Sequence, residues 1–384
     1  MTPAARLAAA IALLDRVLAG EAAEKALTGW ARTSRFAGAK DRAAVRDLVF
    51  DALRCQRSHA ALGGAASGRG LILGGLRARG EDPEVFFTGE GYAPPPLSPD
   101  ERAAGRAPEG NEALDCPDWL APELEESLGA DFAPVMRALR ERAPLHLRVN
   151  LRKASRAAAA ERLAAEGVET RPHPLSPTAL EVTAGARRLQ ATGTYAEGWV
   201  EPQDAASQAV ADTLPLAAGA RVLDYCAGGG GKTLAMAGRA EARFFAWDAA
   251  LERMRDLPAR AARARVDVTV LADPAAAAPY DLVLCDAPCS GSGAWRRSPE
   301  AKWRLDRSRL DRLRATQAEI LDAAAELVAP GGVLAYATCS LIEAENGAQV
   351  SAFLARHRGW RLLLQRRLTP LDGGDGFYVA HLAT

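Results

Sequence analysis

Between residues 199 and 384 short apolar runs alternate with helical stretches. The runs are "ARVLDYCAG", "ARFFAWDA", "DVTVLAD", "YDLVLCDAP", "GGVLAYATCS" and a final "GFYVAHL". Strands of this kind, alternating with helices, predict an α/β fold with a doubly wound parallel sheet. In such a sheet ligands bind beyond the carboxyl ends of the strands. The chemically interesting residues of this region fall at those ends.

Residues 1–140 carry helical periodicity instead. In "AAVRDLVFDALRCQRSHAAL" the side chains of Val45, Leu48, Val49, Ala52 and Leu53 share one face, with charges opposite. The opening "MTPAARLAAAIALLDRVLAG" spaces Leu7, Ile11, Leu14, Val17 and Leu18 as one helix face. Asp15 and Arg16 interrupt its apolar run, so it reads as an amphipathic helix and not as a signal peptide. The proline-bearing stretch "GYAPPPLSPDERAAGRAPEGNEALDCPDW" reads as a linker or long loop. Residues 141–198 form a third region. "PLHLRVNLRK" alternates as a strand, "ASRAAAAERLAAEG" is a helix closed by Gly167, and "VETRPHPLSPTALEVT" supplies further short strands. The boundaries are thus 1–140, 141–198 and 199–384, consistent with two or three domains in 384 residues.

Composition narrows the function classes. With 48% hydrophobic and 25% charged residues, the chain has enough apolar side chains for packed cores. The formal net charge is +0, so overall charge does not announce a nucleic-acid partner. Any basic surface is local. Arg148, Arg152, Lys153, Arg156, Arg171, Arg187 and Arg188 give the middle region such a bias, which on its own reads as a solvated face and only secondarily as a phosphate-contacting one. Six cysteines without CxxC or Cys/His spacing argue against a metal site or a disulfide framework. Free thiols point to a reducing compartment, the cytoplasm. No apolar stretch reaches the length of a membrane span.

"VLDYCAGGGGKT" is a strand, a glycine-rich turn and a helix start, where backbone can approach a ligand closely. Read as a P-loop, its end matches Gly231, Lys232 and Thr233, but its first glycine would fall on Cys226. A nucleotide hydrolase is therefore one reading. The other is the nucleoside-binding loop of a methyltransferase, which calls for an acidic residue after the next strand to hold the ribose. Asp248 meets that, and Asp273 ends the third strand, where the adenine would lie. Each aspartate alone could be an ordinary helix cap. Asp248, Asp273 and Asp286 converging on one sheet edge favour a site.

Two cysteines, Cys289 and Cys339, each follow a strand end and precede a serine. Thiolates are good nucleophiles. Carbon 5 of cytosine is too electron-poor to accept a methyl group until a thiolate adds to carbon 6. An acid at nitrogen 3 eases that addition, and Asp286 is placed for it. Cys55, Cys116 and Cys285 read as buried hydrophobes, and Cys226 as packing or lending backbone to a cofactor.

"DAPCSGSG", "ATCSLIEAENGAQV", "GWVEPQDAASQAV" and "DGFYVAHL" resemble the motifs of the RsmB/Nol1/Nop2/Sun family of RNA cytosine-5 methyltransferases over residues 140–384. "AGAKDRAAVRDLVFDALR" is similar to the NusB-like RNA-binding domain of the bacterial ribosomal-RNA members. The resemblance implies a Rossmann-like methyltransferase sheet, a small α/β RNA-recognition subdomain and S-adenosylmethionine as cofactor. It also implies an RNA substrate, most nearly 16S ribosomal RNA with tRNA the nearest variant; a monomer with no membrane and no metal partner is expected. It makes Cys339 the nucleophile and Cys289 the residue that helps release the product, a choice that spacing alone leaves open. Cofactor contacts carry over to Cys226, Ala227, Gly228, Gly229, Gly230, Gly231, Lys232, Asp248, Arg253, Asp273 and Asp286. Lys302 matches a lysine near the target base. Beside it, Trp295, Trp303, Arg296, Arg297, Arg304 and Arg307 imply RNA contact. The family loop reads Cys-Ala-Ala-Pro-Gly-Gly-Lys, so Gly228 and Gly229 replace alanine and proline here. A looser empty loop and weaker cofactor binding are the expectation. A catalytically inactive RNA-binding assembly factor is the remaining alternative.

Overall fold

The computed structural model describes all 384 residues. They fall into two compact units, Met1–Arg142 with Trp295–Arg304, and Ala143–Ala294 with Leu305–Thr384.

The first unit is helical. Its long helices are Pro3–Leu18, Ala23–Thr33, Ala39–Arg54 and Gly68–Ala78. The first starts where its sequence dictates, with Thr2 accepting from the Ala5 N–H and Pro3 in the first turn. Leu13, Leu14, Val45, Val49, Leu53, Leu71 and Leu73 fill the core. Helix Gln56–Gly63 packs so closely on Gly68–Ala78 that a Cβ at Gly74 would lie 1.8 Å from the His59 carbonyl oxygen, which demands glycine there. The proline-bearing stretch is not a free linker. It holds short helices at Pro99–Ala103 and Gly110–Ala113 and buries Leu97 and Cys116. Arg77 donates to the carbonyls of Leu62, Glu101 and Ala104, giving this irregular backbone the partners it needs.

Residues 295–304 belong to this unit, and here the expectation of a basic, RNA-facing loop is corrected. Trp295 and Lys302 are each only 1% exposed. Lys302 Nζ donates to the Arg54 carbonyl at 3.2 Å, and Trp303 Nε1 donates to the Leu53 carbonyl at 2.7 Å. Arg54 Nε in turn donates to the Arg296 carbonyl, and Arg304 to those of Gly20 and Glu21. Burial pulls the Lys302 ammonium down to about 8, offset in part by the charge of Asp115. These groups cap helix ends inside the unit, so Lys302 has no face left for a target base. The apolar stems of Trp295 and Lys302 explain the reversal: next to a helical bundle they pack better than they solvate.

The second unit contains two sheets. Strands β1 (His146–Val149), β2 (Glu169–Pro172), β3 (Ala179–Ala184) and β4 (Val200–Pro202) form an antiparallel sheet in the order β2-β3-β1-β4. Helix Arg156–Ala165 covers it, burying Ala159 and Leu163 against Leu147, Val149 and Leu180. Its expected basic face is largely spent internally. Arg148 pairs with Glu201, Arg152 with Glu241 and Arg171 with Glu181, and Lys153 and Arg156 donate to the carbonyls of Glu197 and Ser176. Arg187 and Arg188 stay exposed.

The large sheet uses β5 (Arg221–Asp224), β6 (Arg243–Ala246), β7 (Val268–Val270), β8 (Tyr280–Asp286), β9 (Val328–Thr338), β10 (Arg361–Leu368) and β11 (Phe377–Ala383), in the order β10-β11-β9-β8-β5-β6-β7. Strands β7, β6, β5, β8 and β9 are parallel, while β11 runs antiparallel to both β9 and β10. The fold is therefore Rossmann-like but not wholly parallel. The chain leaves β5 toward β6 on one side and returns as β8 on the other. The carboxyl ends of β5 and β8 thus flank the switch point where such folds bind ligands. No helix is long and apolar enough to cross a membrane.

Candidate active site

Register brings the chemistry to this switch point. Asp224 sits opposite Leu284, and Asp286 opposite Ala337. Residues following β8 and β9 must then meet, and they do: Cys289 Sγ and Cys339 Sγ are 3.4 Å apart. The Gly293 N–H donates to the Cys339 carbonyl at 2.9 Å and ties the two loops together.

Lys232 enters from the glycine loop. Its side chain is only 7% exposed, and Nζ donates to Asp286 Oδ2 at 2.7 Å. Burial opposes the ammonium, but Asp286 and then Cys339 outweigh it, so Lys232 stays above the ordinary lysine range. A cation, a carboxylate and two thiols therefore share one enclosure. Cys289 is pushed well up, first by its hydrogen bond with Cys339, then by burial, then by the charges of Cys339 and Glu345. The remaining cysteines are poor nucleophiles: burial raises Cys55, Cys226 and Cys285, and pushes Cys116 up to about 12.

The glycine loop is held more firmly than its composition suggests. The Gly228 N–H donates to Asp248 Oδ2 at 2.9 Å, Arg148 donates to the Gly231 carbonyl at 2.8 Å, and Arg260 donates to the Gly229 carbonyl. Gly228 has φ +49, a conformation that disfavours any side chain. Asp248, Arg148 and Arg260 thus brace the loop at the positions where alanine and proline are replaced or beside them. Bare backbone from Ala227 to Gly231 gives a ligand close approach, with Asp248 at the end of the neighbouring strand, and these residues fit an adenosyl cofactor. Asp248 is 4% exposed at its side chain and also pairs with Arg253 at 3.0 Å. Asp273 is exposed, and its Oδ1 accepts from the Ala275 N–H at 2.9 Å, so it acts as a local cap.

Sequence reasoning missed Asp224 and Glu345. Asp224 ends β5, is 1% exposed and accepts from Thr233 Oγ1 at 2.7 Å, while its Oδ1 has no hydrogen-bond partner. Burial pushes its carboxyl up to about 7, with Asp286 adding to the rise. Its position after an apolar strand was the available signal. The folded protein therefore keeps a proton on Asp224 that the unfolded chain releases near 3.8. Stability attributable to this group falls as pH rises from about 4 to about 7 and then levels off. Asp224→Asn is expected to flatten that decline and to gain on the order of 4 kcal/mol at pH 8 over its effect at pH 4, at about 1.4 kcal/mol per pH unit. Chemical denaturation of both proteins across this pH range checks it, and parallel curves would refute the assignment.

The sheet order, the glycine loop and the acidic strand ends define a nucleoside-cofactor methyltransferase fold. Comparisons with known proteins carry this further. The family model described as 16S rRNA methyltransferase RsmB/F matches residues 211–383, and the ferredoxin-like domain model of the same family matches residues 116–187. The chain is 37% identical over 286 residues to ribosomal RNA small subunit methyltransferase B of Xylella fastidiosa, covering 69% of this chain and 68% of that protein. It is 36% identical over 282 residues to the Vibrio cholerae protein of the same name, covering 70% and 65%. The chain belongs to the RsmB/F family of RNA methyltransferases, whose cofactor is S-adenosylmethionine. It spans about two thirds of the length of the curated relatives it matches. The crystal structure of PH0851 superimposes with a TM-score of 0.76 at 23% identity, covering 100% of this chain and 99% of that one. A methyltransferase homolog from Pyrococcus horikoshii superimposes with a TM-score of 0.63 at 23% identity, covering 71% and 96%. At these identities both likenesses concern the fold.

Proposed function

We propose that this chain is an RNA cytosine-5 methyltransferase acting on 16S ribosomal RNA through a covalent Cys339–cytosine adduct. The observation that carries the reading is the 3.4 Å approach of Cys289 and Cys339 beside the Lys232–Asp286 pair. Cys339 adds as a thiolate to carbon 6, and the displaced electron pair moves toward nitrogen 3. The Lys232–Asp286 pair meets that developing charge with a proton, Lys232 supplying and Asp286 relaying it. Carbon 5 becomes nucleophilic. Bound S-adenosylmethionine supplies the methyl group as an electrophilic carbon. The carbon 5 proton is then lost to a base, the ring double bond reforms, Cys339 leaves as thiolate with Cys289 serving this release, and the nitrogen 3 proton returns through Asp286 to Lys232. The Ala227–Gly231 backbone and Asp248 hold the cofactor, and Arg253 orients Asp248. The target base reaches the thiol unpaired or flipped out of its helix. The helical unit is proposed as a NusB-like RNA-binding module.

Two alternatives are disfavoured. A phosphate-binding lysine would be free to meet its ligand, whereas Lys232 is buried against Asp286 and lies over the Phe377 ring. An inactive assembly factor has no use for two thiols enclosed with an ion pair. The test is incubation of the protein and S-adenosylmethionine with unmodified 16S ribosomal RNA, followed by nucleoside mass spectrometry. The expected product is 5-methylcytidine. A methylated nucleoside of another kind, or product only on tRNA, overturns the corresponding part of the reading.

A further inference from the structure

Glu345 takes no part in the reaction as written, yet it is 0% exposed beside both thiols. Oε1 accepts from the Ser290 N–H at 2.8 Å and from Gln317 Nε2 at 3.0 Å. Oε2 accepts the hydroxyl protons of both Ser290 and Ser340. All four donors are neutral. A buried carboxylate with no cation among its partners is costly, and four convergent donors are what make it tolerable.

The donors come from the residues that directly follow the two thiols, Ser290 after Cys289 and Ser340 after Cys339. One carboxylate therefore clamps both loops. Around it the hydroxyls of Ser290, Ser292 and Ser340 lie 3.1–3.3 Å from one another, and Ser292 accepts from the Leu341 N–H at 2.8 Å. Asn346 completes the frame, donating to the Ser340 carbonyl at 2.9 Å and accepting from the Thr338 hydroxyl.

We propose that Glu345 is a positioning residue that locks Cys289 and Cys339 in one relative geometry. The inference rests on the two-thiol reading above and deepens it. The charge of Glu345 opposes a thiolate on Cys289. The arrangement thus keeps Cys289 as a thiol until release, beside a Cys339 held in a fixed position. Glutamine at 345 is not a silent replacement, because its NH2 would face groups that are themselves donors.

The test uses the full chain without RNA. Wild-type protein, Glu345→Gln, and the double variant Ser290→Ala/Ser340→Ala are alkylated with iodoacetamide between about pH 6 and pH 9, and each cysteine is followed by peptide mass spectrometry. In the wild type Cys339 is expected to react at least about 10-fold faster than Cys289, whose thiol is held well up. In Glu345→Gln that preference should fall about 10-fold, with the Cys289 profile moving to lower pH. An unchanged ratio and pH profile in a Glu345→Gln protein that melts as the wild type does overturns the proposal. If Glu345→Gln does not fold, the serine double variant decides by the same criterion. The readout needs no methylation, so lost selectivity without any 5-methylcytidine on 16S ribosomal RNA would reject the functional reading and leave the positioning role standing.

Discussion

Asp286→Asn is expected to lower single-turnover methylation by about 10²–10⁴-fold, the usual span for loss of a positioned acid. Cofactor affinity should change far less, because the Gly228–Asp248 and Arg260–Gly229 contacts remain. The reason lies in the Lys232–Asp286 pair, 2.7 Å apart with Lys232 7% exposed. The amide keeps the shape but loses the charge that holds the ammonium and relays its proton. Asp286→Ala goes further, leaving a buried ammonium without its carboxylate. A loss of about 3–5 kcal/mol in stability is expected, as for other broken buried pairs. Rapid-quench methylation and thermal melting of the two variants separate the effects. Wild-type turnover in Asp286→Asn would remove the pair from the mechanism.

Cys339→Ala is expected to abolish turnover, by about 10³-fold or more, because no other group in the enclosure can add to carbon 6. Cys289 cannot substitute. With the Cys339 sulfur gone, burial and the charge of Glu345 still raise its thiol. The fold should be unaffected, since Cys339 sits at the end of β9 and its backbone carbonyl, not its sulfur, takes the Gly293 N–H. Steady-state methylation with thermal melting checks this. Residual activity within about 10-fold of the wild type would mean that another nucleophile carries the reaction.

The strand ends were legible because apolar runs buried on both faces leave little choice of element, and the residue after each run must lie at the sheet edge. Cys289, Cys339, Asp286 and Asp248 could be found that way. Their pairing could not, since the meeting of two sulfurs depends on the register of β8 against β9. Lys302 and Trp303 misled for a physical reason. A basic, aromatic segment looks the same whether it faces RNA or donates to buried carbonyls, and here the carbonyls of Arg54 and Leu53 take it. The bracing of the glycine loop was not legible either, because Arg148 and Arg260 are far from it in sequence and reach it only in space. Glu345 lay in a recognised motif, but its four neutral donors converge only on folding.

The most direct measurement is a denaturing gel of Cys289→Ala, Cys339→Ala and the double variant, each incubated with S-adenosylmethionine and 16S ribosomal RNA. A stable protein–RNA adduct in Cys289→Ala that disappears when Cys339 is also replaced is the predicted result. An adduct in Cys339→Ala instead would reverse the two roles and contradict the account.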